Sequence, residues 1–178
     1  TVNLESMTFD GVSKIAIIAQ DGANLNAKDV TITNMGAGGN PIQAYGGTVV
    51  LENVTANQTG DAAQPWYNSV IQVVNLIEKN NDRWTITSQA NVTVKSGVYY
   101  GKRAIQVNAP GGNITVDGGT FTGTEYAIRA EFAPGNYQDG DKFESKIVIN
   151  GGDFDGKISI VNSSSLTIKG GTFKNTGR

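Results

Sequence analysis

Apolar and polar residues alternate in short stretches along the chain, and glycine-containing turns separate the stretches. The clearest copies are Ile114–Phe121, Ile147–Phe154 and Leu166–Phe173, where an alternating triplet precedes a Gly-Gly pair and a phenylalanine. Period-two alternation is typical of a β-strand with one buried side. Because the phrase returns at irregular steps of about twenty residues, the pattern predicts a solenoid of stacked strands.

Looser copies extend the phrase toward the N-terminus, and most copies are followed by a second alternating strand. We therefore predict an all-β fold, a right-handed parallel β-helix of about six to seven rungs, its hand following the rule for parallel crossovers. Stacking would place the first isoleucine of every second strand in one internal ladder. The predicted first strands begin at Val2, Val30, Val49, Val92, Ile114, Ile147 and Leu166, and the second strands at Ile15, Ile42, Ile71, Ile105, Ile128 and Ile158.

Composition supports this fold and limits the function. The 178 residues include 23 glycines and only 2 methionines, so turn formers dominate over helix formers. We find no linker-like stretch and predict a single domain over residues 1–178. The net charge of −2 comes without a basic stripe, so no nucleic-acid partner is expected. No apolar run approaches the length of about eighteen residues that a membrane span needs.

The chain contains neither histidine nor cysteine. This absence excludes Ser-His-Asp and Cys-His nucleophilic catalysis and metal sites ligated by histidine. The remaining routes to catalysis use carboxylates, either a hydrolytic pair or a Ca²⁺ cluster with a basic residue. No two acids occupy adjacent rungs on either predicted ladder.

Three stretches interrupt the repeat, and two of them leave equivalent corners. They are Thr55–Ser69, Leu76–Ala90 and Glu131–Lys146. The second is predicted to be a hairpin that turns at residues 80–82. Since the second and third leave the coil two rungs apart, they should be separated by about 10 Å, and a groove is expected between them.

The predicted groove combines amides with aromatic rings. Such surfaces suit sugar polymers, because hydroxyl groups bind polar side chains while sugar faces stack on rings. The alternative is structural: the glutamines form a solvent-exposed amide ladder, and Trp84 packs the hairpin onto the coil. The candidate ligand-binding residues are Gln106 and Asn108 on the floor, Gln72, Arg129 and Glu131 beside them, and Trp84 and Tyr137 on the walls.

One segment has a faint likeness to a calcium loop. Asp139 and Asp141 flank a glycine and could supply oxygen ligands to Ca²⁺, although a bidentate glutamate is missing at the expected distance. Asp-Gly is also a common pair in tight turns. We therefore predict no cofactor and keep these two aspartates as weak metal candidates.

The repeated Gly-Gly-Thr-Phe phrase after Ile-x-Val, with the following Tyr126-Ala127-Ile128 or Arg103-Ala104-Ile105, resembles the degenerate repeats of large cell-surface proteins of Gram-positive and gut bacteria. These belong to the pectate-lyase-like right-handed β-helix group. The resemblance implies export, an extracellular or cell-surface location, and adhesion or binding to a polysaccharide or a host surface protein. Lyases of that group carry Ca²⁺-binding acids with a catalytic basic residue, whereas here Arg129 has no acid cluster beside it.

Three functional hypotheses follow. The first is a non-catalytic β-helical module of an exported surface protein that binds glycans or mediates adhesion. The second is a polysaccharide lyase or glycoside hydrolase, and the third is a structural stalk. Both ends of the sequence leave a rung open, which predicts either a segment of a longer surface protein or end-to-end self-association.

Overall fold

Parallel strand pairing organises nearly all of the structure. A computed structural model describes residues 1–33, 35–36, 38–60, 68–81, 83–130, 144–160 and 164–175. Within these ranges there are seventeen strands and no helix, so the predicted all-β class is confirmed. The strands are β1 (Val2–Asp10), β2 (Ile17–Gln20), β3 (Asn24–Thr33), β4 (Ile42–Tyr45), β5 (Thr48–Glu52), β6 (Val54–Gln58), β7 (Ser69–Val74), β8 (Leu76–Asn80), β9 (Arg83–Ser88), β10 (Asn91–Val94), β11 (Gly97–Val107), β12 (Gly112–Val116), β13 (Thr120–Ala130), β14 (Ser145–Ile149), β15 (Asp153–Ile160), β16 (Ser164–Ile168) and β17 (Thr172–Lys174).

Fifteen of the strands form one sheet, and their pairings follow three ladders. The first ladder joins the N-terminal halves of β1 and β3 to β5, β10, β12, β14 and β16. The second joins the C-terminal halves of β1 and β3 to β6, the starts of β11, β13 and β15, and β17. The third joins β2, β4 and β7 to the ends of β11, β13 and β15.

The predicted row of isoleucines forms the buried side of the third ladder, with one correction. Ile42, Ile71, Ile105 and Ile128 follow one another in register and are fully buried. The first member is Ile17 and not Ile15, because the strand begins at Ile17, which pairs with Ile42. Alternation alone does not distinguish these positions, since both isoleucines fit the same period-two pattern.

The prediction that Val30 begins a strand of the first ladder is wrong, because the residues that follow it pair on the second ladder. Leu25 and Ala27, and not Val30 and Ile32, align with Val49 and Leu51 on the first ladder. The reason is that β3 crosses between ladders at Asp29, whose φ of 53° bends the backbone. The repeat therefore has three strand segments where the sequence predicted two.

Aromatic rings stack inside the second ladder. The ring centroids of Tyr99 and Phe121 lie 4.9 Å apart, those of Phe121 and Phe154 4.8 Å, and those of Phe154 and Phe173 5.0 Å. Their spacing is that of neighbouring strands, because equivalent residues lie directly above one another in a parallel ladder. The phenylalanine of the Gly-Gly phrase thus packs into the core at Phe121, Phe154 and Phe173.

Glycine is required where the chain turns from the first ladder into the second. A Cβ at Gly97 would lie 2.1 Å from the carbonyl oxygen of Val54, and the φ of 133° at Gly97 disfavours other residues. Gly119 holds the equivalent place with a φ of 117°. These turns bring each aromatic residue into the stack.

Charged residues alternate along the exposed side of the first ladder. Glu52 lies between Lys28 and Lys95, at N–O distances of 3.3 and 3.0 Å. On the neighbouring strands, Glu5 lies opposite Lys28, and Asp117 lies next to Lys95 at the equivalent position. Like charges on adjacent strands would repel one another, so this alternation makes the parallel register compatible with a charged surface.

We predict that Phe121→Ala lowers the free energy of unfolding by about 3–5 kcal/mol, because it removes a fully buried ring with a stacked neighbour on each side. Urea denaturation would measure the loss. Tyr100→Ala is the matched control, since Tyr100 belongs to the same ladder but is 40% exposed. Equal losses in the two variants would contradict the proposed role of the stack.

A second prediction concerns pH. Hydrogen bonds from Lys95 and Lys28 hold the pKa of Glu52 below its ordinary value of 4.5. A lowered pKa in the folded state means that the ionised carboxylate stabilises the protein above pH 4.5 and that this contribution disappears as the pH falls through the folded-state pKa. The free energy of unfolding of Glu52→Gln should therefore be below that of wild type at neutral pH and should converge with it in acid.

Urea titrations over a range of pH would test this expectation. The control is Glu144→Gln, which removes another exposed carboxylate. Added salt should shrink the wild-type advantage at neutral pH, because exposed ion pairs are screened. A difference between wild type and Glu52→Gln that stays constant from neutral pH into acid would exclude the ion-pair explanation.

Candidate functional site

The predicted hairpin is confirmed. Strands β8 and β9 pair antiparallel, with Lys79 opposite Trp84 and Ile77 opposite Ile86. Its base is held at Gly46, whose carbonyl oxygen accepts a 2.5 Å hydrogen bond from the Ser88 hydroxyl. Trp84, the predicted wall residue, is half-buried on β9.

The other wall of the predicted groove lies outside the described residues. Glu131 and Tyr137 belong to that segment, as do the weak metal candidates Asp139 and Asp141. Among the residues that the structure describes, no group of three or more histidine, cysteine, aspartate or glutamate side chains could hold a metal ion. The groove and its Ca²⁺ candidates therefore remain predictions.

The glutamines align as predicted, but they are not exposed. Gln43, Gln72 and Gln106 follow one another in register on the third ladder, and Arg129 comes next. Gln72 is 4% exposed and Gln106 is fully buried, so the expectation of an open groove floor or a solvent-exposed ladder is wrong for both. Buried amides need hydrogen-bond partners, and these two have them.

Gln72 is the centre of a buried amide cluster. Its side-chain oxygen accepts hydrogen bonds from Asn40 Nδ2 at 2.9 Å and from Gln43 Nε2 at 2.6 Å. Asn40 in turn accepts bonds from the backbone nitrogen and the hydroxyl of Ser69, at 3.1 and 3.0 Å. These contacts link β4, with the Asn40 that precedes it, to β7, and they indicate a structural role for Gln72.

Gln106 forms hydrogen bonds with a buried arginine and with Asn108. The Arg103 guanidinium donates from Nη1 to Gln106 Oε1 at 3.0 Å, and Gln106 Nε2 donates to Asn108 Oδ1 at 2.5 Å. The Arg103 side chain is only 4% exposed. Gln106 therefore fixes the position of Arg103, and Asn108, which is half-buried, fixes Gln106.

Arg103 is the innermost residue of an open cleft with three cations, which we call the basic cleft. It has a volume of about 430 Å³ and lies at the start of the third ladder. Adjacent strands bring its members together, since Arg103 pairs with Tyr126 and Tyr126 with Lys157. The basic cleft is lined by Arg103, Thr124, Glu125, Tyr126, Arg129 and Lys157.

Arg129 faces both an aromatic ring and a like charge. Its guanidinium carbon lies 4.8 Å from the centroid of the Tyr126 ring, within the range of a cation–π contact. Partial burial and, after it, the positive charge of Arg103 lower the pKa of Arg129. An anion between the two guanidinium groups would relieve this repulsion.

Glu125 partly balances the positive charge. Its carboxylate oxygens lie 3.4 Å from Lys102 Nζ and 3.5 Å from Arg103 Nη2. The Glu125 side chain is 40% exposed, so water screens both ion pairs. The lining of the basic cleft and the neighbouring Lys102 together supply four cationic side chains and one carboxylate, in a chain whose overall net charge is −2.

A second depression adjoins the basic cleft and shares Thr124 with it. Tyr100, Gly101 and Lys102 lie along it, together with residues 58–60. The Tyr100 ring is 40% exposed. The two depressions together form a continuous surface that combines cations, hydroxyl groups and an accessible ring.

Sequence reasoning found Arg129 but missed Arg103, Tyr126 and Lys157 as members of one site. Arg103 and Tyr126 each precede a ladder isoleucine by two residues, which is a detectable signal. Lys157 precedes Ile158 by one, because the strand register shifts between Tyr126 and Ile128. A register shift of this kind cannot be seen in the spacing of a single sequence.

Comparison with protein-family models, with curated proteins and with solved structures found no match to this chain. The described residues contain no helix of the length and apolarity that a membrane span requires. The basic cleft is therefore the feature of the described residues from which a function can be inferred.

We predict that Gln106→Ala lowers the free energy of unfolding by about 1–3 kcal/mol, because it removes the buried acceptor of Arg103 and the donor to Asn108. Gln89→Ala is the matched control, since Gln89 is exposed. Chemical denaturation of both variants would measure the effect. A loss in Gln106→Ala no larger than in Gln89→Ala would show that the buried network contributes little.

Proposed function

We propose that the chain is a non-catalytic module that binds acidic polysaccharides through the basic cleft. The observation that carries the proposal is the convergence of Arg103, Arg129 and Lys157 from three adjacent strands beside the Tyr126 ring. We place the module in an exported bacterial surface protein, where it acts in adhesion or in glycan binding. A stalk without a ligand would not require this cluster of like charges.

For the scaffold, we propose a right-handed parallel β-helix of six to seven rungs that forms one domain. The support is the order of the three ladders, each of which visits the strands in the same sequence along the chain. Such an order arises when the chain winds in one direction and each turn lies on the previous one. The right hand follows from the general rule for parallel crossovers.

The chemistry of the basic cleft suits carboxylate groups. A guanidinium presents two parallel N–H donors to a carboxylate, and an ammonium group adds a point charge. Because adjacent parallel strands lie about 4.8 Å apart, cations on successive strands form a row that an extended polyanion can follow. Sugar units carrying carboxylates would thus contact several strands at once.

Aromatic rings extend the match to the sugar itself. Tyr126 stacks with Arg129, and the accessible Tyr100 ring lies on the adjoining depression. Flat rings pack against the apolar faces of sugars, while the hydroxyl of Thr124 can exchange hydrogen bonds with sugar hydroxyl groups. An acidic host surface protein is the alternative partner for the same cations.

The place of the half-buried Arg129 in the basic cleft, beside Arg103 and over the Tyr126 ring, supports one second candidate, β-elimination on an acidic polysaccharide. In that reaction Arg129, as the neutral guanidine, would accept the proton next to the sugar carboxylate while Arg103 binds the carboxylate. The electrons of that carbon–hydrogen bond form a carbon–carbon double bond as the glycosidic carbon–oxygen bond breaks, and the leaving oxygen takes a proton from water. Ultraviolet absorbance of unsaturated ends would reveal this activity.

The central test measures the affinity of the protein for a soluble polyuronate by isothermal titration calorimetry. Lys157→Gln should weaken binding about tenfold, because it removes one charge-assisted contact. Arg129→Gln should weaken it at least as much. The matched control is Lys146→Gln, which makes the same change at an exposed residue of the first ladder and should leave the affinity unchanged.

Three further readouts decide among the alternatives. Affinity for the polyuronate should fall with added salt, and a neutral glucan should not bind. Equal losses in Lys157→Gln and Lys146→Gln would refute the basic cleft as the site. Unsaturated products would replace the binding module by the lyase, and absence of binding to any glycan would favour a host protein or a stalk.

A further inference from the structure

The corner at which the chain passes from the second ladder into the third differs in length among three adjacent strands. Strand β13 has three residues in this corner, β11 has two and β15 has one. An additional residue in one strand stays out of the pairing and bends that strand. Thr124, in the longest corner, is exposed, so Thr124 and Glu125 form a ridge between two shorter corners. The paired positions that bound the corners are Tyr100, Thr122 and Asp155 on the second ladder and Arg103, Tyr126 and Lys157 on the third.

Two depressions meet at this ridge, because Thr124 lines both of them. One is the basic cleft. The other, which we call the tyrosine depression, has a volume of about 280 Å³ and is lined by residues 58–60, by Tyr100 and its two successors on β11, and by Thr124. A chain-like ligand that lies across the strands can therefore contact both depressions at once.

The two depressions differ in charge. The lining of the basic cleft has three cations and one carboxylate. Among the described residues that line the tyrosine depression, Lys102 is the one with a charged side chain, and its ammonium group already lies 3.4 Å from the carboxylate of Glu125. Glu125 would repel a second carboxylate placed beside Lys102. The tyrosine depression therefore suits an uncharged group.

Tyr100 gives the tyrosine depression an aromatic surface. The side chain is 40% exposed, and in register it lies between Asn57 of β6 and Thr122 of β13. A flat ring packs against the apolar face of a sugar, and the neighbouring amide and hydroxyl groups can exchange hydrogen bonds with sugar hydroxyl groups. An uncharged sugar that stacks on Tyr100 would thus have polar partners on both sides of the ring.

We propose that the ligand is a polysaccharide in which uncharged sugars alternate with uronates, and that Tyr100 selects it by stacking on the uncharged sugar. This inference rests on the proposed binding of an acidic polysaccharide to the basic cleft. Tyr100 and Arg103 both belong to β11, and at about 3.3 Å per residue their Cα atoms are at most about 10 Å apart. Neighbouring sugar units span such a distance, so a disaccharide can place its uronate at the basic cleft and its uncharged unit on Tyr100.

Isothermal titration calorimetry with two matched oligosaccharides would test this inference. The probes are hexagalacturonate and the same hexasaccharide with galactose in place of every second galacturonate. The wild-type chain should bind the alternating probe at least about threefold more tightly, although that probe carries fewer carboxylates, whereas attraction between charges alone would give the opposite order. Tyr100→Ala should weaken binding of the alternating probe about tenfold and change binding of hexagalacturonate by less than about twofold.

Two further variants serve as controls. Tyr100→Phe keeps the ring and should retain the preference for the alternating probe. Val98→Ala shortens another exposed side chain of β11, 47% exposed and outside the lining of the tyrosine depression, and it should bind both probes like wild type. Circular dichroism would verify that all variants fold.

Lys157→Gln separates this inference from the proposed function. It should weaken binding of both probes, because each presents carboxylates to the basic cleft. If Lys157→Gln weakens both probes while Tyr100→Ala affects the two probes equally, the basic cleft remains the binding site and the alternating ligand is refuted. A wild-type chain that binds neither probe would also overturn this inference, whatever the result of the titration with the longer polyuronate.

Discussion

Parallel pairing in register is the constraint on which the rest of the structure depends. Each residue of a ladder lies about 4.8 Å from the equivalent residue of the next strand, so every side chain meets its own counterpart. Apolar residues gain from this arrangement, as the stacked rings of Tyr99, Phe121 and Phe154 show. Polar residues satisfy it by hydrogen bonding along the ladder, as Asn53 does to Asp29 at 2.6 Å. Charges satisfy it by alternating in sign.

The same constraint explains how much the sequence could predict. Alternation and the Gly-Gly-Phe phrase contain enough information for the all-β class, the third-ladder isoleucines and the inward phenylalanines. They do not predict where β3 bends. The bend is at Asp29, whose φ is 53°, and nothing in the alternation of apolar and polar residues distinguishes Asp29 from the other polar residues of the strand. Nor do they predict that side chains on the outer side of a strand are buried. Gln72 and Gln106 alternate like exposed residues, yet both are buried. The partner of Gln72, Asn40, is distant in sequence, so the spacing of a single strand does not reveal it.

The basic cleft arises where the regular register fails. Between Tyr126 and Ile128 the strand pairing shifts, and this shift brings Lys157 beside Tyr126. Irregularities of this type re-aim side chains, which is why they accompany functional sites in sheets. Arg103 is then held by the buried Gln106, so a rigid amide network supports the most enclosed cation. Gln106 thus belongs to the proposed site as a positioning residue, although the sequence suggested direct contact with a ligand.

Regular and irregular parts of the ladders consequently serve different purposes. Where the register is uniform, as along the first ladder, equivalent side chains lie in rows and their charges alternate in sign. Where the register shifts, between Tyr126 and Ile128, side chains of different chemistry are brought together on adjacent strands. The uniform part therefore stabilises the sheet, and the shifted part forms the basic cleft.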